Sequence, residues 1–141
     1  MVGASPVAVA QIDSTPQESI ARYGTPVRNE LPSKGLLYFQ SQGLCTICHY
    51  FHGRCDMISM FSEKSEMGVP EGLSDERIAQ LLDSEGNGAK SKWEMDRITI
   101  NLHWNSKDGK KFAIYDTMRH KLVIMTKAAF LRETRSDKKR P

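Results

Sequence analysis

The first half of the chain shows a helix pattern followed by three strand patterns. Thr15 and Glu18 form a capping-box pair and Pro16 suits the first helical position, so a short helix is expected over residues 14–24. Runs rich in β-branched and aromatic residues follow, separated by turn residues. They predict strands over residues 36–40, 44–51 and 54–61.

The second half repeats this order of elements. Ser74 in the N-cap position predicts a helix over residues 74–85. A two-residue alternation then predicts a strand over residues 97–104, with Trp104 on its buried face. Further runs predict two strands and a short last helix, over residues 111–116, 121–126 and 127–133.

These patterns predict an α+β protein, with an antiparallel sheet and short helices packed on it. The sheet combines two helix–three-strand halves, residues 14–63 and 74–126. Each half is small for a core of its own, so we expect both to share one sheet in a single domain over residues 14–131. Residues 132–141 have almost nothing to bury and are predicted to form a basic disordered tail.

Composition adds the class of protein and one charged segment. The 141 residues are 39% hydrophobic and 26% charged, which is typical of a globular domain. No apolar run approaches the roughly 18 residues of a membrane-spanning helix. The net charge of +3 equals that of the tail alone, so the rest of the chain is close to neutral. The tail is a candidate for polyanion contact through Arg132, Arg135, Lys138, Lys139 and Arg140.

The start of the chain indicates export. Ala8-Val9-Ala10, followed by Gln11, has the small-x-small form of a signal-peptidase site. Residues 1–13 are therefore interpreted as the remnant of a signal peptide, with a disordered terminus as the alternative. Export would place the mature protein in the periplasm or outside the cell.

Several turn and core positions resemble the module of BamE-like (SmpA) outer-membrane assembly lipoproteins. In the first half, the similarity rests on Arg22-Tyr23-Gly24-Thr25-Pro26, Tyr38-Phe39 and Phe51-His52-Gly53-Arg54. Two such modules in tandem also resemble the arrangement of the β-lactamase inhibitor protein. Over residues 14–126, the chain is similar to small exported proteins of Verrucomicrobia-type bacteria, some of which live in mucus.

The resemblance implies a module without catalytic residues. Such a module would meet a protein or envelope component through a face or an edge of its sheet. BamE-like proteins carry a lipidated cysteine at their mature start, where this chain has Gln11, so lipid anchoring is not implied. The mucus-dwelling relatives suggest an alternative, a secreted hydrolase of protease or glycosidase type acting on glycoprotein such as mucin.

The strongest local signal for chemistry is the segment Cys45-Thr46-Ile47-Cys48-His49. It has the Cys-x-x-Cys-His form of covalent haem attachment. With His52 and Cys55, it also supplies candidate metal ligands. The segment falls in a predicted strand, where Cys45 and Cys48 would face opposite sides of the sheet. We therefore expect neither haem nor metal, and interpret the cysteines as small apolar strand residues.

A disulfide across the predicted hairpin is not expected either. With His52-Gly53 as the turn, Tyr50 would lie opposite Cys55, and Cys48 opposite Met57. No cysteine then faces another, and cross-sheet or intermolecular pairing is the option left open.

Motifs for catalysis are absent from the sequence. There is no G-x-S-x-G elbow, H-E-x-x-H helix or Walker-type loop, so no catalytic residue is assigned. The sequence favours an exported, non-enzymatic binding module without a cofactor. The hydrolase, and nucleic-acid or polyanion binding through the tail, are the alternatives, and the oligomeric state is left open.

Overall fold

The computed structural model describes residues 12–69, 71–85, 93–98 and 101–139. The strands are β1 (Arg28–Glu30), β2 (Leu36–Ser41), β3 (Leu44–Phe51), β4 (Arg54–Ser62), β5 (Trp93–Ile98), β6 (Leu102–Ser106), β7 (Lys111–Asp116) and β8 (Lys121–Thr126). The helices are α1 (Pro16–Tyr23), α2 (Leu31–Lys34), α3 (Glu63–Glu66), α4 (Asp75–Glu85) and α5 (Lys127–Lys139). All eight strands form one antiparallel sheet, in the order β1-β2-β3-β4-β8-β7-β6-β5. The predicted α+β class is confirmed.

The local signals that predicted the first half act as expected. Thr15 Oγ1 accepts the Glu18 N–H at 3.2 Å, and Glu18 Oε1 accepts the Thr15 N–H at 2.8 Å, so the capping box starts α1. Gln42-Gly43 and His52-Gly53 turn the two hairpins, and all four residues have positive φ. Such two-residue turns match the twist of the strands they connect.

The two halves meet at the middle of the sheet. The last strand of the first half, β4, pairs antiparallel with the last strand of the second half, β8. Ile58 and Ile124 lie opposite each other in this ladder, and both are 0% exposed. The sheet is therefore continuous across the halves, as the sequence predicted.

The second half differs from the prediction in its first strand. The segment 97–104 is not one strand: β5 ends at Ile98, β6 starts at Leu102, and the two residues pair antiparallel. Paired residues of an antiparallel ladder lie on the same face, so the two-residue alternation keeps its phase across the reversal and does not reveal it. Thr99 and Ile100 lie outside the described residues. Trp104 is buried, as predicted.

Three short elements were not predicted, namely β1 and α2 in the first half and α3 at its end. They have three or four residues each, too few to show a period. Gly35, with φ +70°, ends α2, and a Cβ there would lie 3.0 Å from the carbonyl oxygen of Tyr50. The Tyr50 N–H donates to the Gly35 carbonyl at 2.8 Å, which ties α2 to β3.

One face of the sheet carries the main core. Side chains of β2, β3, β4, β6, β7 and β8 pack there against Ile78 and Leu82 of α4. Helix α1 joins the same layer, since the Tyr50 hydroxyl and the buried Ser19 hydroxyl of α1 are hydrogen-bonded at 2.5 Å. This face therefore lies beneath α1 and α4.

The opposite face is covered by α5. Ala129 is fully buried against Met57 and Met125, and the rings of Phe112 and Phe130 lie 4.9 Å apart. Thr126 Oγ1 accepts the Ala129 N–H at 3.0 Å and so caps the start of α5. The helix continues to Lys139, so the prediction of a disordered tail from Arg132 is corrected for the described residues.

The predicted disordered start, residues 1–13, also needs correction at its end. Ile12 is buried in the main core, and its N–H donates to Glu85 Oε1 at 3.0 Å. Cys55 of β4 accepts the Asp13 N–H at 2.6 Å and donates its own N–H to Ser14 at 2.8 Å. The backbone of β4 thus holds this segment. Residues 1–11, with the predicted cleavage site, lie outside the described residues.

The pairing of β4 with β8 should make the two halves unfold together. We expect Ile124→Ala to lower the free energy of unfolding by about 2–5 kcal/mol, because it leaves a cavity at the shared core. Ile124→Val, the matched control, should cost about 0.5–1.5 kcal/mol. Urea unfolding is followed by tryptophan fluorescence, which reports the second half, and by amide signals of β2 and β3. Different midpoints for the two probes would show independent halves.

Candidate functional site

The residues proposed as metal ligands lie on different sides of the sheet. Cys48 and Cys55 belong to the main core, whereas His49 pairs with Met57, which belongs to the α5 face. Cys45 alternates with Cys48 and shares the face of His49, and His52 is exposed in the turn. No group of three or more His, Cys, Asp or Glu among the described residues is placed to hold a metal ion.

A β-bulge changes the predicted register of the β3–β4 hairpin. Tyr50 lies opposite Cys55 as predicted, but His49 lies opposite Met57 and Cys48 opposite Ile58. Asp56 therefore has no partner in β3 and is the extra residue of the bulge. The bulge returns the Cys55 side chain to the core face, where Cys48 belongs to the same buried cluster. No cysteine lies directly opposite another in this ladder, as predicted, but the bulge makes Cys48 and Cys55 diagonal neighbours on one face.

Arg132, predicted as part of a polyanion-binding tail, has an internal partner. Its Nη2 lies 2.7 Å from Asp56 Oδ2, and its guanidinium carbon lies 3.8 Å from the centre of the Phe51 ring. Both contacts attach α5 to the β3–β4 hairpin, so this positive charge is already paired. The backbone of Arg135, Lys138 and Lys139 belongs to α5, and Arg140 lies outside the described residues.

The groove with the clearest recognition chemistry lies between α1, the β2–β3 hairpin and α4. Its volume is about 260 Å³. Its floor is made of buried side chains from three strands: Phe39, Leu44, Thr46 and Met60. A mostly apolar floor of this kind supplies contact area for a ligand, and the groups on the rim then decide its specificity.

Helix α4 contributes one side of the groove's rim, through residues that lie on one face of the helix. Arg77, Leu81 and Ser84 follow one another at intervals of four and three residues, so they lie along one face of the helix. The start of α4 is fixed by Ser74, whose Oγ accepts the Arg77 N–H at 3.0 Å, as predicted for an N-cap.

Helix α1 supplies the opposite side of the groove. It ends at Tyr23, and Gly24 follows with φ +94° and donates its N–H to Ile20 at 2.8 Å. The Tyr23 ring lies 4.9 Å from that of Phe39, and the Arg22 guanidinium lies 5.8 Å from the Tyr23 ring centre. Burial raises the pKa of Tyr23 above its usual range, so this side chain stays uncharged beside the arginine.

Arg22 and Arg77 give the groove its charge. Neither guanidinium group has a carboxylate within 4.0 Å among the residues that the structure describes. Gln80 and Ser84 add an amide and a hydroxyl on the α4 side. Guanidinium groups donate paired hydrogen bonds to carboxylates, so the arrangement suits an anionic group attached to an apolar segment.

A second groove, of about 310 Å³, lies between α4 and the β5–β6 hairpin. Its lining is apolar apart from Asp75, and consists of Ile78, Ala79, Leu82, Met95, Leu102 and Trp104. It has fewer polar groups that would orient a ligand, so the arginine-lined groove is the better candidate.

The sequence alone did not indicate this groove. Arg22 was noted only as part of the turn after α1, and Arg77 sits in a helix whose apolar residues defined the prediction. The two residues are far apart in the chain and come from different halves. The sequence signal that could have indicated the groove is that each arginine lies next to the apolar face of its helix. Many arginines that only contact solvent have the same position, so this signal is not specific.

Comparisons with known proteins do not assign a function to this chain. No protein-family model and no curated protein matches the chain. Among solved structures, the chain is similar to an extracellular protein containing an SCP domain from Bacillus anthracis strain Ames, at 12% identity and a TM-score of 0.47. The similarity covers 94% of this chain and 50% of that one, so this chain spans about half its length. Within the described residues, no helix has the length and hydropathy needed to cross a membrane.

The burial of His49 beneath α5 should make the free energy of unfolding depend on pH. Burial lowers its pKa below the usual value of 6.5, the effect of Lys121 acts in the same direction, and Asp56 and Glu133 oppose it. A histidine with a lowered pKa in the folded state stabilises the fold above its unfolded pKa. That contribution is lost as the pH falls through the folded value.

We expect the free energy of unfolding to fall from about pH 7 to about pH 5, and part of this slope to disappear in His49→Gln. Urea unfolding at a series of pH values measures the slope. His52→Asn is the matched control, because it removes an exposed histidine whose positive φ asparagine tolerates. An unchanged slope in His49→Gln would contradict the assignment.

Proposed function

We propose that this chain is an exported binding module of the cell envelope or extracellular space, and that its arginine-lined groove binds an acidic segment of a partner protein. The observation that carries the proposal is the pair Arg22 and Arg77, without a carboxylate partner among the described residues, above an apolar floor. The BamE-like resemblance supports a binding role, and the small-x-small segment before Gln11 supports export.

Charge and shape favour an acidic peptide as the occupant. The chain carries little net charge outside its last ten residues, so two guanidinium groups on one groove form a local positive site. The aromatic and aliphatic floor, with Phe39 and Leu44, suits the apolar side chains that alternate with acidic ones in an extended segment. The hydroxyl of Ser84 and the amide of Gln80 would pair with the peptide backbone.

The test uses a fluorescently labelled six-residue peptide that alternates glutamate and leucine. Fluorescence polarisation measures its binding to the whole chain, and a peptide with glutamine in place of glutamate is the ligand control. Arg22→Gln and Arg77→Gln should each weaken binding by about tenfold or more, because each removes a hydrogen bond to a charged group. Thermal melts should show that both variants stay folded, since substitutions at such surface positions cost little.

Arg119→Gln is the matched protein control. It removes the same charge from the β7–β8 turn, where the Arg119 side chain is 78% exposed and pairs with Asp116. This variant should bind the acidic peptide as the unmodified chain does. Equal binding of the glutamine peptide, or full binding by the Arg22→Gln and Arg77→Gln variants, would overturn the proposal. So would a lack of binding of the acidic peptide at low ionic strength.

A further inference from the structure

The β3–β4 hairpin brings two thiols together inside the main core. Cys48 and Cys55 are 0% and 1% exposed, and both belong to the layer beneath the helices. Six residues separate them in the chain. In the register, Cys48 lies opposite Ile58 and Cys55 opposite Tyr50, so the two cysteines are diagonal neighbours across the hairpin. Because Asp56 is an extra residue without a partner in β3, the side chains of Cys48 and Cys55 lie on the same face of the sheet.

We propose that Cys48 and Cys55 are a site of disulfide formation, and that Cys45 stays a thiol. Diagonal neighbours in a regular hairpin have Cα atoms about 7–8 Å apart, slightly beyond the usual range for a disulfide. Strand twist increases at a bulge, and both side chains are buried in the same core cluster, so a small backbone shift suffices to join the two sulfur atoms. Cys45 lies on the opposite face of β3 and cannot reach either sulfur.

The chemistry is thiol–disulfide exchange with a small disulfide such as oxidised glutathione. One protein thiolate attacks the glutathione disulfide, releases one glutathione thiol and forms a mixed disulfide. The second protein thiolate then attacks the protein-side sulfur and releases the other glutathione thiol. The two protein thiols lose two electrons and two protons in total, and one glutathione disulfide is reduced to two thiols.

Burial determines when this reaction takes place. In the folded chain, the contact with Cys48 and the apolar surroundings raise the pKa of the Cys55 thiol above its usual range, so the reactive thiolate is scarce. Helix α1 also packs onto this part of the hairpin, since the buried Ser19 of α1 is hydrogen-bonded to Tyr50, which lies opposite Cys55. Oxidation is therefore expected while the hairpin forms and before α1 covers it, and slow oxidation is expected for the folded, reduced protein.

Trypsin offers a direct test, because Arg54 lies between the two cysteines. Cleavage after Lys34, Arg54 and Lys64 places Cys48 in peptide 35–54 and Cys55 in peptide 55–64. The full chain with Cys45→Ser is refolded in a mixture of reduced and oxidised glutathione, alkylated and digested without reduction. Cys48 is then the sole thiol of the first peptide, so a linked pair of peptides identifies the Cys48–Cys55 bond unambiguously.

We expect the refolded Cys45→Ser chain to have no free thiol, to be two mass units lighter than its reduced form, and to yield the linked peptides. The unsubstituted chain should keep one alkylatable thiol, at Cys45. Adding Cys55→Ser should abolish the linked pair. Two separate alkylated peptides from the folded Cys45→Ser chain, or a disulfide-linked dimer in their place, would overturn the proposal, whichever result the peptide-binding test of the groove gives.

A second measurement separates a formed bond from a misfolded chain. Near-ultraviolet circular dichroism should show the same folded signal for the oxidised and reduced forms, because both cysteines already lie in the same part of the core. The midpoint of thermal unfolding should be several degrees higher for the oxidised form, since the bond restricts the unfolded chain. An oxidised form that melts at a lower temperature than the reduced form would show that the bond distorts the hairpin, against the proposal.

Discussion

The pairing of β4 with β8 is the interaction on which the rest of the structure depends. It joins the last strand of each half, places Ile58 against Ile124 at the centre of the sheet, and leaves neither strand as an exposed edge. Contacts on both faces cross the same junction. Ile12, just before the first half, is hydrogen-bonded to Glu85 of the second half on one face, and Arg132, just after the second half, pairs with Asp56 of the first on the other. Each half thus completes the core of its neighbour.

The proposed binding site follows from that junction. One side of the groove, with Arg22, belongs to the first half, and the other side, with Arg77, belongs to the second half. The groove consequently exists only when the sheet is continuous. Each half is close to neutral, so one arginine from each at this boundary gave no sign of a charged ligand in the overall composition.

A single extra residue, Asp56, has two structural consequences. Its insertion into β4 returns Cys55 to the core face beside Cys48, and the Asp56 carboxylate itself pairs with Arg132 of α5. The bulge therefore connects the chemistry on one face of the sheet with the attachment of a helix on the other. Bulges serve in this way because they bend the strand and redirect a side chain without ending the ladder.

Much of the fold follows from local signals in the sequence. The capping residues Thr15 and Ser74 start their helices where predicted, and the turns at Gln42-Gly43 and His52-Gly53 set the two hairpins. These features were predictable because the physical cause lies within a few residues: a side chain that satisfies a free backbone N–H, or a backbone conformation that glycine adopts without strain. The alternation around Trp104 also predicted its burial correctly.

Other features were decided only by the tertiary structure. The reversal between β5 and β6, the bulge at Asp56 and the extension of α5 beyond Arg132 leave no distinct local pattern, because each depends on contacts between segments far apart in the chain. Arg132 begins a segment whose composition is typical of a solvated tail. It is nevertheless held in place by Asp56 and Phe51, which precede it by more than seventy residues. Local sequence signals determined α1, α4 and most of the longer strands, whereas long-range packing decided which side chains meet. The reason is that hydrophobic periodicity indicates which face a residue occupies and not its neighbours on that face.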